Sequence, residues 1–114
     1  MHPNDAARTA ARDGELALEE ALVELRELVA APGVVAVGET GLDYFRTRDA
    51  EGQAVQEASF RRHIGWAKEL GLTLVIHDRD AHVDILRVVD DEGAPERVVM
   101  HCFSGDADFA RECL

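Results

Sequence analysis

Apolar residues recur along the chain at two different spacings, which predict alternating helices and strands. The helical spacing, with apolar residues on one face and glutamates or other polar residues on the rest, predicts four helices. They cover residues 13–29, 53–70, 81–91 and a last segment that begins near Asp106. Short continuous apolar runs rich in β-branched residues predict three strands buried on both faces. These strands cover residues 34–37, 72–76 and 98–100.

This alternation of helix and buried strand is typical of βαβ units on a parallel sheet. Parallel sheets are normally covered on both faces or closed into a barrel, whereas three strands leave two open edges. We therefore expect residues 1–114 to form a single incomplete α/β domain that is truncated at both ends. The open edges also predict self-association of the isolated chain.

Polar side chains follow the three apolar runs. Glu39, His77 and His101 each occupy the first polar position after a predicted strand. Because the carboxyl ends of parallel strands meet at one edge of a sheet, we expect these side chains to lie close together. A single histidine in such a place is more often a hydrogen-bonded structural residue. Two histidines and a glutamate at equivalent positions favour a metal site, because imidazole and carboxylate are ligands of zinc and related ions.

The composition narrows the class of partner. Twelve Lys and Arg against 23 Asp and Glu give a net charge of -11, which repels a polyanion at long range. A phosphate substrate must then be captured locally, and metal ions are the expected means. No apolar run approaches the roughly 18–20 residues of a membrane span, and the first residues do not resemble a secretory signal. We expect a cytoplasmic protein without membrane contact, in which Cys102 and Cys113 are buried thiols.

Three successive motifs resemble those of the TatD family of metal-dependent deoxyribonucleases. They are VGETGLDY at 37–44, IHDRDA at 76–81 and HCFSG at 101–105, with a further likeness at 56–60. The resemblance implies a (β/α)8 TIM-barrel-like fold with two divalent metal ions that hydrolyses phosphodiester bonds, at DNA ends above all. By that similarity Glu39 bridges both ions, and His77 and His101 each coordinate the second ion. The sequence leaves Mg²⁺, Mn²⁺ and Zn²⁺ open as the metal.

Two parts of the family pattern are missing from this chain. The family opens with an HxHxD motif on its first strand and supplies a further metal-binding and catalytic Asp from a late strand, and neither is present. His2-Pro3 resembles the segment just after the family's second strand, so His2 is not part of the HxH pair. A complete barrel needs ~250 residues. We therefore expect the ligands of the first ion, and the general base, to lie outside this chain.

Six residues near the motifs are candidate substrate contacts. They are Asp43, Tyr44, Arg79, Phe103, Ser104 and Gly105. Arg79 could bind a phosphate through two N–H groups or pair with Asp78 or Asp80, and its place at a strand end slightly favours the substrate role. Asp43 either orients a metal ligand or caps a loop.

The aromatic and loop candidates have similar alternatives. Tyr44 and Phe103 could stack on nucleobases, although packing beneath a loop is the commoner use of such rings. Ser104 and Gly105 could offer backbone N–H groups to a phosphate or cap the last helix. Two other histidines, His63 and His82, are predicted to be solvent-exposed helix residues.

The sequence thus predicts a metal-dependent hydrolase of the TatD type that acts on phosphodiester bonds of nucleic acid. One alternative is a non-catalytic truncation product of such an enzyme. A second alternative keeps the metal barrel but changes the bond that is cleaved, because a fold does not fix a function.

Overall fold

The computed structural model describes residues 1–114 as five helices and three strands. The helices are α1 (Pro3–Asp13), α2 (Glu15–Val29), α3 (Ala50–Leu70), α4 (His82–Glu92) and α5 (Ala107–Cys113), and the strands are β1 (Ala36–Asp43), β2 (Thr73–Arg79) and β3 (Val98–His101). Every predicted helix and strand is present, although the bounds shift by a few residues. Helix α1 is an additional element that the apolar pattern does not predict.

Helix α1 escapes the pattern because alanines form most of its buried face. Ala6 is completely buried and Ala7 is nearly so, but neither side chain is large enough to mark a periodic apolar stripe. The helix begins with Pro3 in its first turn, and His2 caps it by accepting a hydrogen bond from the backbone N–H of Asn4. It packs against α2, α3 and β1. As a result, the N-terminal residues lie beside the carboxyl half of β1.

The three strands form one parallel sheet in the order β1-β2-β3. Helices α3 and α4 are the crossovers of two consecutive βαβ units, and each packs against the sheet. The core between helices and sheet consists of large apolar side chains, the most buried being Leu42, Phe60, Ile64, Leu74, Ile76 and Ile85. The predicted α/β class and the parallel arrangement are therefore confirmed.

Strand β1 is longer than the apolar run suggests and begins two residues later. Its last six residues, GETGLD, have a composition that disfavours strands, yet they pair with β2 as far as Asp43 and Arg79. The partner strand, and not local propensity, holds this part of β1 extended. Glu39 consequently lies inside β1 and not after it, and His77 and His101 likewise lie within their strands.

Strand β3 departs from the predicted burial on both faces. Val98 is 39% exposed and Val99 is 48% exposed, because β3 pairs with β2 alone and its other edge is open. This open edge agrees with the expectation from three strands. None of the helices is both long enough and apolar enough to cross a membrane.

Candidate metal centre

A bulge in β1 presents Glu39 to the neighbouring strand. Val37 pairs with Leu74 and Thr40 with Ile76, so Gly38 and Glu39 together face one residue of β2. Gly38 has φ +140°, and a Cβ there would lie 2.5 Å from the backbone oxygen of Val75, so this position needs glycine. Bulges of this kind re-aim a side chain, and here the side chain is a carboxylate.

Glu39, His77 and His101 converge across the three strands. His77 and His101 are paired neighbours in the sheet register. Oε2 of Glu39 lies 3.1 Å from Nδ1 of His77 and 3.8 Å from Nε2 of His101. The structure therefore brings together the three residues that the sequence singled out as metal ligands, with half of the His101 side chain still exposed to solvent.

The carboxylate of Asp43 fixes the orientation of His77. It accepts hydrogen bonds from Nε2 of His77 (3.0 Å), Nδ2 of Asn4 (2.9 Å) and the backbone N–H of Arg46 (2.9 Å). Burial alone would raise the pKa of Asp43, but these hydrogen bonds outweigh it and hold the pKa below its ordinary value. The ionised carboxylate only accepts, so Nε2 of His77 carries the ring proton. Asp43 thus both orients His77 and caps the loop at Arg46.

The resulting arrangement fits a divalent ion. With its proton on Nε2, His77 directs the lone pair of Nδ1 toward the side on which Glu39 Oε2 lies, 3.1 Å away. These two electron-pair donors repel each other unless a cation lies between them, which is either a second ring proton on Nδ1 or a divalent ion bound by both atoms. Imidazole nitrogen and carboxylate oxygen together suit zinc and related ions, and the bond from His77 to Asp43 is the usual support of a metal-bound histidine.

His2 is a further donor at this site that sequence reasoning did not assign. Ligand atoms of His2, Glu39 and His77 all lie within 4.8 Å of one another, and the two imidazole rings are 4.4 Å apart. Burial lowers the pKa of His2. However, Nδ1 of His2 already accepts the capping hydrogen bond from Asn4, so the neutral ring carries its proton on Nε2.

A buried polar network beneath the site was also missed. Gln56 on α3 is completely buried and accepts a hydrogen bond from the backbone N–H of Asp43 (2.9 Å). Its amide group also donates to Asn4 (3.3 Å), which binds Thr47 in turn. The available signal was a glutamine among the apolar inward positions of a helix, where a polar side chain needs a partner.

The remaining substrate candidates occupy defined positions. Arg79 makes no ion pair with Asp78 or Asp80, and its guanidinium lies 3.8 Å from the ring centre of Phe45. Tyr44 donates to Asp84 on α4 (2.7 Å), and burial together with this carboxylate raises the pKa of Tyr44. This hydrogen bond links Tyr44 to α4 and favours a structural role for the ring over stacking on a nucleobase.

The HCFSG segment packs onto α5. Phe103 stacks on Phe109 with ring centres 5.5 Å apart, and it is 43% exposed. Ser104 donates to the backbone oxygen of Asp78 (3.3 Å), and a Cβ at Gly105 would lie 2.3 Å from the Phe109 ring. Of the two alternatives for Ser104 and Gly105, helix capping does not occur, because Asp106 caps α5 by accepting from the N–H of Phe109.

Two histidines and both cysteines differ from expectation. His63 is completely buried and not exposed, since α1 covers the face of α3 on which it lies. His82 is half-buried, because it pairs with Asp78 and stacks on an aromatic ring of α5. Cys102 is exposed in the loop after β3, and Cys113 is half-buried; neither forms a disulfide.

Comparison with known proteins agrees with this geometry. Residues 1–114 match the family described as TatD related DNase over their whole length. The chain belongs to the TatD family. An uncharacterized metal-dependent hydrolase TatD of Mycobacterium tuberculosis is 45% identical over 119 residues, which cover 100% of this chain and 41% of the relative. A 3'-5' ssDNA/RNA exonuclease TatD of Cronobacter turicensis is 37% identical over 116 residues, covering 100% and 40%.

Solved structures show the same fold. YJJV, a TatD homolog from Escherichia coli K12, superposes with a TM-score of 0.75 at 26% identity, covering 98% of this chain and 40% of that one. An uncharacterized amidohydrolase from Saccharomyces cerevisiae shares the fold at a TM-score of 0.67 and 20% identity, covering 93% and 38%. The TatD-family chain thus spans about two fifths of the length of these proteins, and the predicted TIM-barrel-like hydrolase fold is confirmed.

Proposed function

We propose that this TatD-family chain contributes one part of a metal-dependent hydrolase site that cleaves phosphodiester bonds in nucleic acid. In this proposal Glu39, His77 and His101 hold a divalent ion. The observation that supports it is the convergence of Glu39 Oε2 on His77 Nδ1 at 3.1 Å and on His101 Nε2 at 3.8 Å. The phosphodiester substrate is drawn from a relative named as an ssDNA/RNA exonuclease.

A divalent ion held by these residues would polarise a phosphoryl oxygen and lower the pKa of bound water. The protein's own part is to hold and orient the ligands. Asp43 keeps the proton of His77 on Nε2 and fixes the plane of the ring. Glu39 brings one negative charge from the bulge, which favours the charged ion over a neutral ligand. The exposed half of the His101 side chain leaves one side of the site accessible from solvent.

Residues 1–114 are proposed to be a single incomplete barrel domain. They supply ligands for one ion, whereas a two-metal site stabilises both the attacking and the leaving oxygen. We therefore expect no more than trace nuclease activity from the chain alone. The remaining ligands and the general base would come from the other barrel strands.

Metal binding is tested by calorimetric titration of the chain with Zn²⁺ and with Mn²⁺. The matched pair is the His77→Ala, His101→Ala double variant and the His82→Ala variant, which loses an imidazole outside the cluster. We expect the double variant to lose at least about tenfold in affinity and the His82→Ala variant to bind like the unchanged protein. Equal affinity in all three proteins would contradict the ligand assignment.

Activity is tested by supplying the missing strands in trans. The chain is co-expressed with separately encoded N- and C-terminal segments of a complete relative, and nucleotide release from single-stranded DNA is measured with and without metal. Metal-dependent release by the complex, but not by the chain, is the expected result. A soluble complex with two bound ions that hydrolyses no phosphodiester would indicate a hydrolase that cleaves a different bond. Robust activity of the chain alone would overturn the proposal that its site is incomplete.

A further inference from the structure

The guanidinium groups of two arginines beside the candidate metal centre have no polar partner. Ten of the twelve basic side chains donate to a carboxylate, a hydroxyl or a backbone oxygen within this chain. The guanidinium groups of Arg46 and Arg79 donate to none of these acceptors, although the chain carries a net charge of -11. In so acidic a protein, two cations left without carboxylate partners are a notable exception to the general pairing of charges.

Both arginines line the same small cavity. It has a volume of about 270 Å³, and no apolar side chain contributes to its wall. The lining residues are His2, Asn4, Asp5, Arg8, Asp43, Arg46, His77 and Arg79. Since His77 and His2 belong to the donor cluster, the cavity adjoins the candidate metal centre.

The two carboxylates of the cavity are already engaged. Asp5 pairs with Arg8 at 3.4 Å, and Asp43 accepts its three hydrogen bonds, one of them from the backbone of Arg46. The charge without a partner in this cavity is therefore positive and belongs to Arg46 and Arg79. An anion is the ligand class that such a cavity binds.

The backbone holds both arginines in place. Arg79 pairs with Asp43 in the sheet register, and its carbonyl accepts the N–H of Tyr44 at 2.9 Å. The Arg79 guanidinium lies on the ring of Phe45 at 3.8 Å, a cation–π contact that restricts its movement. Asp43 thus anchors the two arginines as well as His77, so the position of the cavity is fixed relative to the metal ligands.

We propose that Arg46 and Arg79 bind one phosphate group of the nucleic-acid substrate, next to the phosphate that is cleaved at the metal centre. This inference rests on the proposed function. Two guanidinium groups offer planar pairs of N–H donors, which match the several oxygens of a phosphate better than the two of a carboxylate. The site supplies the local capture of phosphate that the net charge of the chain otherwise opposes.

The test measures phosphate binding in the presence of EDTA, so that no metal contributes. Three probes are titrated into the chain: inorganic phosphate, a labelled four-nucleotide thymidine strand with a terminal phosphate, and the same strand without it. The variants are Arg46→Gln, Arg79→Gln and their combination. Arg48→Gln is the control, because Arg48 lies in the same loop and outside the cavity.

Each single variant is expected to lose about tenfold in affinity, the loss of one charge-assisted interaction. The double variant should lose nearly all binding, while Arg48→Gln should stay within about twofold of the unchanged chain. Binding of all three probes identifies an internal phosphodiester as the ligand, and binding of only the first two identifies a terminal phosphate. Equal binding by the double variant, or no binding by the unchanged chain, would overturn the proposal.

The same double variant separates this inference from the proposed function. Its affinity for Zn²⁺ should stay within about threefold of the unchanged chain, because neither arginine belongs to the Glu39, His77 and His101 set. Loss of phosphate binding with metal binding retained supports the arginine site. A chain that binds phosphate through the arginines but binds no metal would instead refute the metal proposal alone. Circular dichroism spectra of the variants check that each one is folded.

Discussion

Oδ2 of Asp43 lies 3.0 Å from Nε2 of His77, and this contact joins two adjacent strands at the candidate metal centre. Asp43 is only 1% exposed, so its charge is held in place by hydrogen bonds and not by water. The same residue receives an N–H from the loop that follows β1. The position of Nδ1 of His77, the nitrogen proposed to bind the ion, therefore depends on a residue that is not itself a proposed ligand.

Replacing Asp43 with Asn should weaken metal binding without removing a ligand. An amide of the same shape can still accept from His77, but it has no charge to support the imidazole. We expect the affinity for Zn²⁺ to fall about tenfold or more. The measurement is calorimetric titration of the variant and of Asp5→Asn, which removes a carboxylate from the same cavity without touching His77. Similar Zn²⁺ affinities in the two variants would show that metal binding depends on the net charge near the site and not on the contact between Asp43 and His77.

His101 should contribute more to metal affinity than His2, although His2 belongs to the tighter cluster. Nδ1 of His2 caps α1, so binding an ion through this nitrogen would break the cap, and binding through Nε2 would require a change of tautomer. We expect His101→Ala to lose at least tenfold in Zn²⁺ affinity, and His2→Ala less than about threefold. Titration of both single variants decides this, and the reverse order would make His2 the third ligand.

His63 should make the fold sensitive to acid. Its Nδ1 donates to the carbonyl of Ser59 (2.7 Å), and burial, followed by the positive charge of the Met1 amine, lowers the pKa of His63 to about 3. The unfolded chain binds this proton near pH ~6.5, whereas the folded chain does not. The free energy of unfolding should therefore decrease as the pH falls from about 6.5 to about 3, by at most roughly 5 kcal/mol.

The comparison that isolates this effect uses His63→Gln, which has no titrating group. The variant should be less stable than the unchanged chain at pH 7 but should lose less stability between pH 6.5 and pH 4. Urea unfolding at several pH values supplies both curves. Asp43 affects the free energy of unfolding at lower pH than His63 does. Because its pKa in the folded chain is depressed, the stability it contributes is lost only as the pH falls below its ordinary pKa near 3.8. Parallel curves for the two proteins would show that His63 is not the buried group responsible.

Gly41 should tolerate no side chain. Its φ is +135°, and a Cβ would lie 2.0 Å from the backbone oxygen of His77, so Gly41→Ala would separate β1 from β2 at the candidate metal centre. We expect a loss of about 3 kcal/mol or more in the free energy of unfolding. Gly65→Ala is the control, since nothing lies within 4 Å of a Cβ there and α3 should gain about 0.5–1 kcal/mol. Urea unfolding of both variants measures the two changes, and a stable Gly41→Ala protein would contradict this account.

The sequence predicted the parts of the fold that depend on local pattern. Strand β2 and helix α3 combine large apolar residues with ordinary spacing, so their positions were predictable within a few residues. The convergence of Glu39 and His77 was predictable because parallel strands meet at one edge. The bulge that aims Glu39 was not, since a bulge depends on the pairing of two strands distant in sequence.

Long-range contacts explain the other differences. The burial of His63 depends on α1, whose alanine face gives no periodic signal, and the roles of Asn4 and Gln56 depend on their contact across α1 and α3. The same holds for the arginine cavity, because the absence of partners for Arg46 and Arg79 becomes visible only when all other charges are placed. The sequence already made Arg79 a candidate phosphate contact, but no spacing in the sequence links Arg79 to Arg46.

The open edge of β3 should make the isolated chain associate. Val98 and Val99 are 39% and 48% exposed, and the outer backbone groups of the strand have no neighbouring strand. Such an edge, without charged or proline residues, is a template for pairing with another chain. We expect the mass measured by light scattering to rise with protein concentration, and Val99→Lys to shift the chain toward the monomer. Val83→Lys is the control, because it replaces an exposed valine (80%) on α4, away from the open strand edge. This substitution should leave the association unchanged. Equal effects of the two substitutions would point to general apolar contact, and a monomeric unchanged chain at all concentrations would show that the edge is protected in solution.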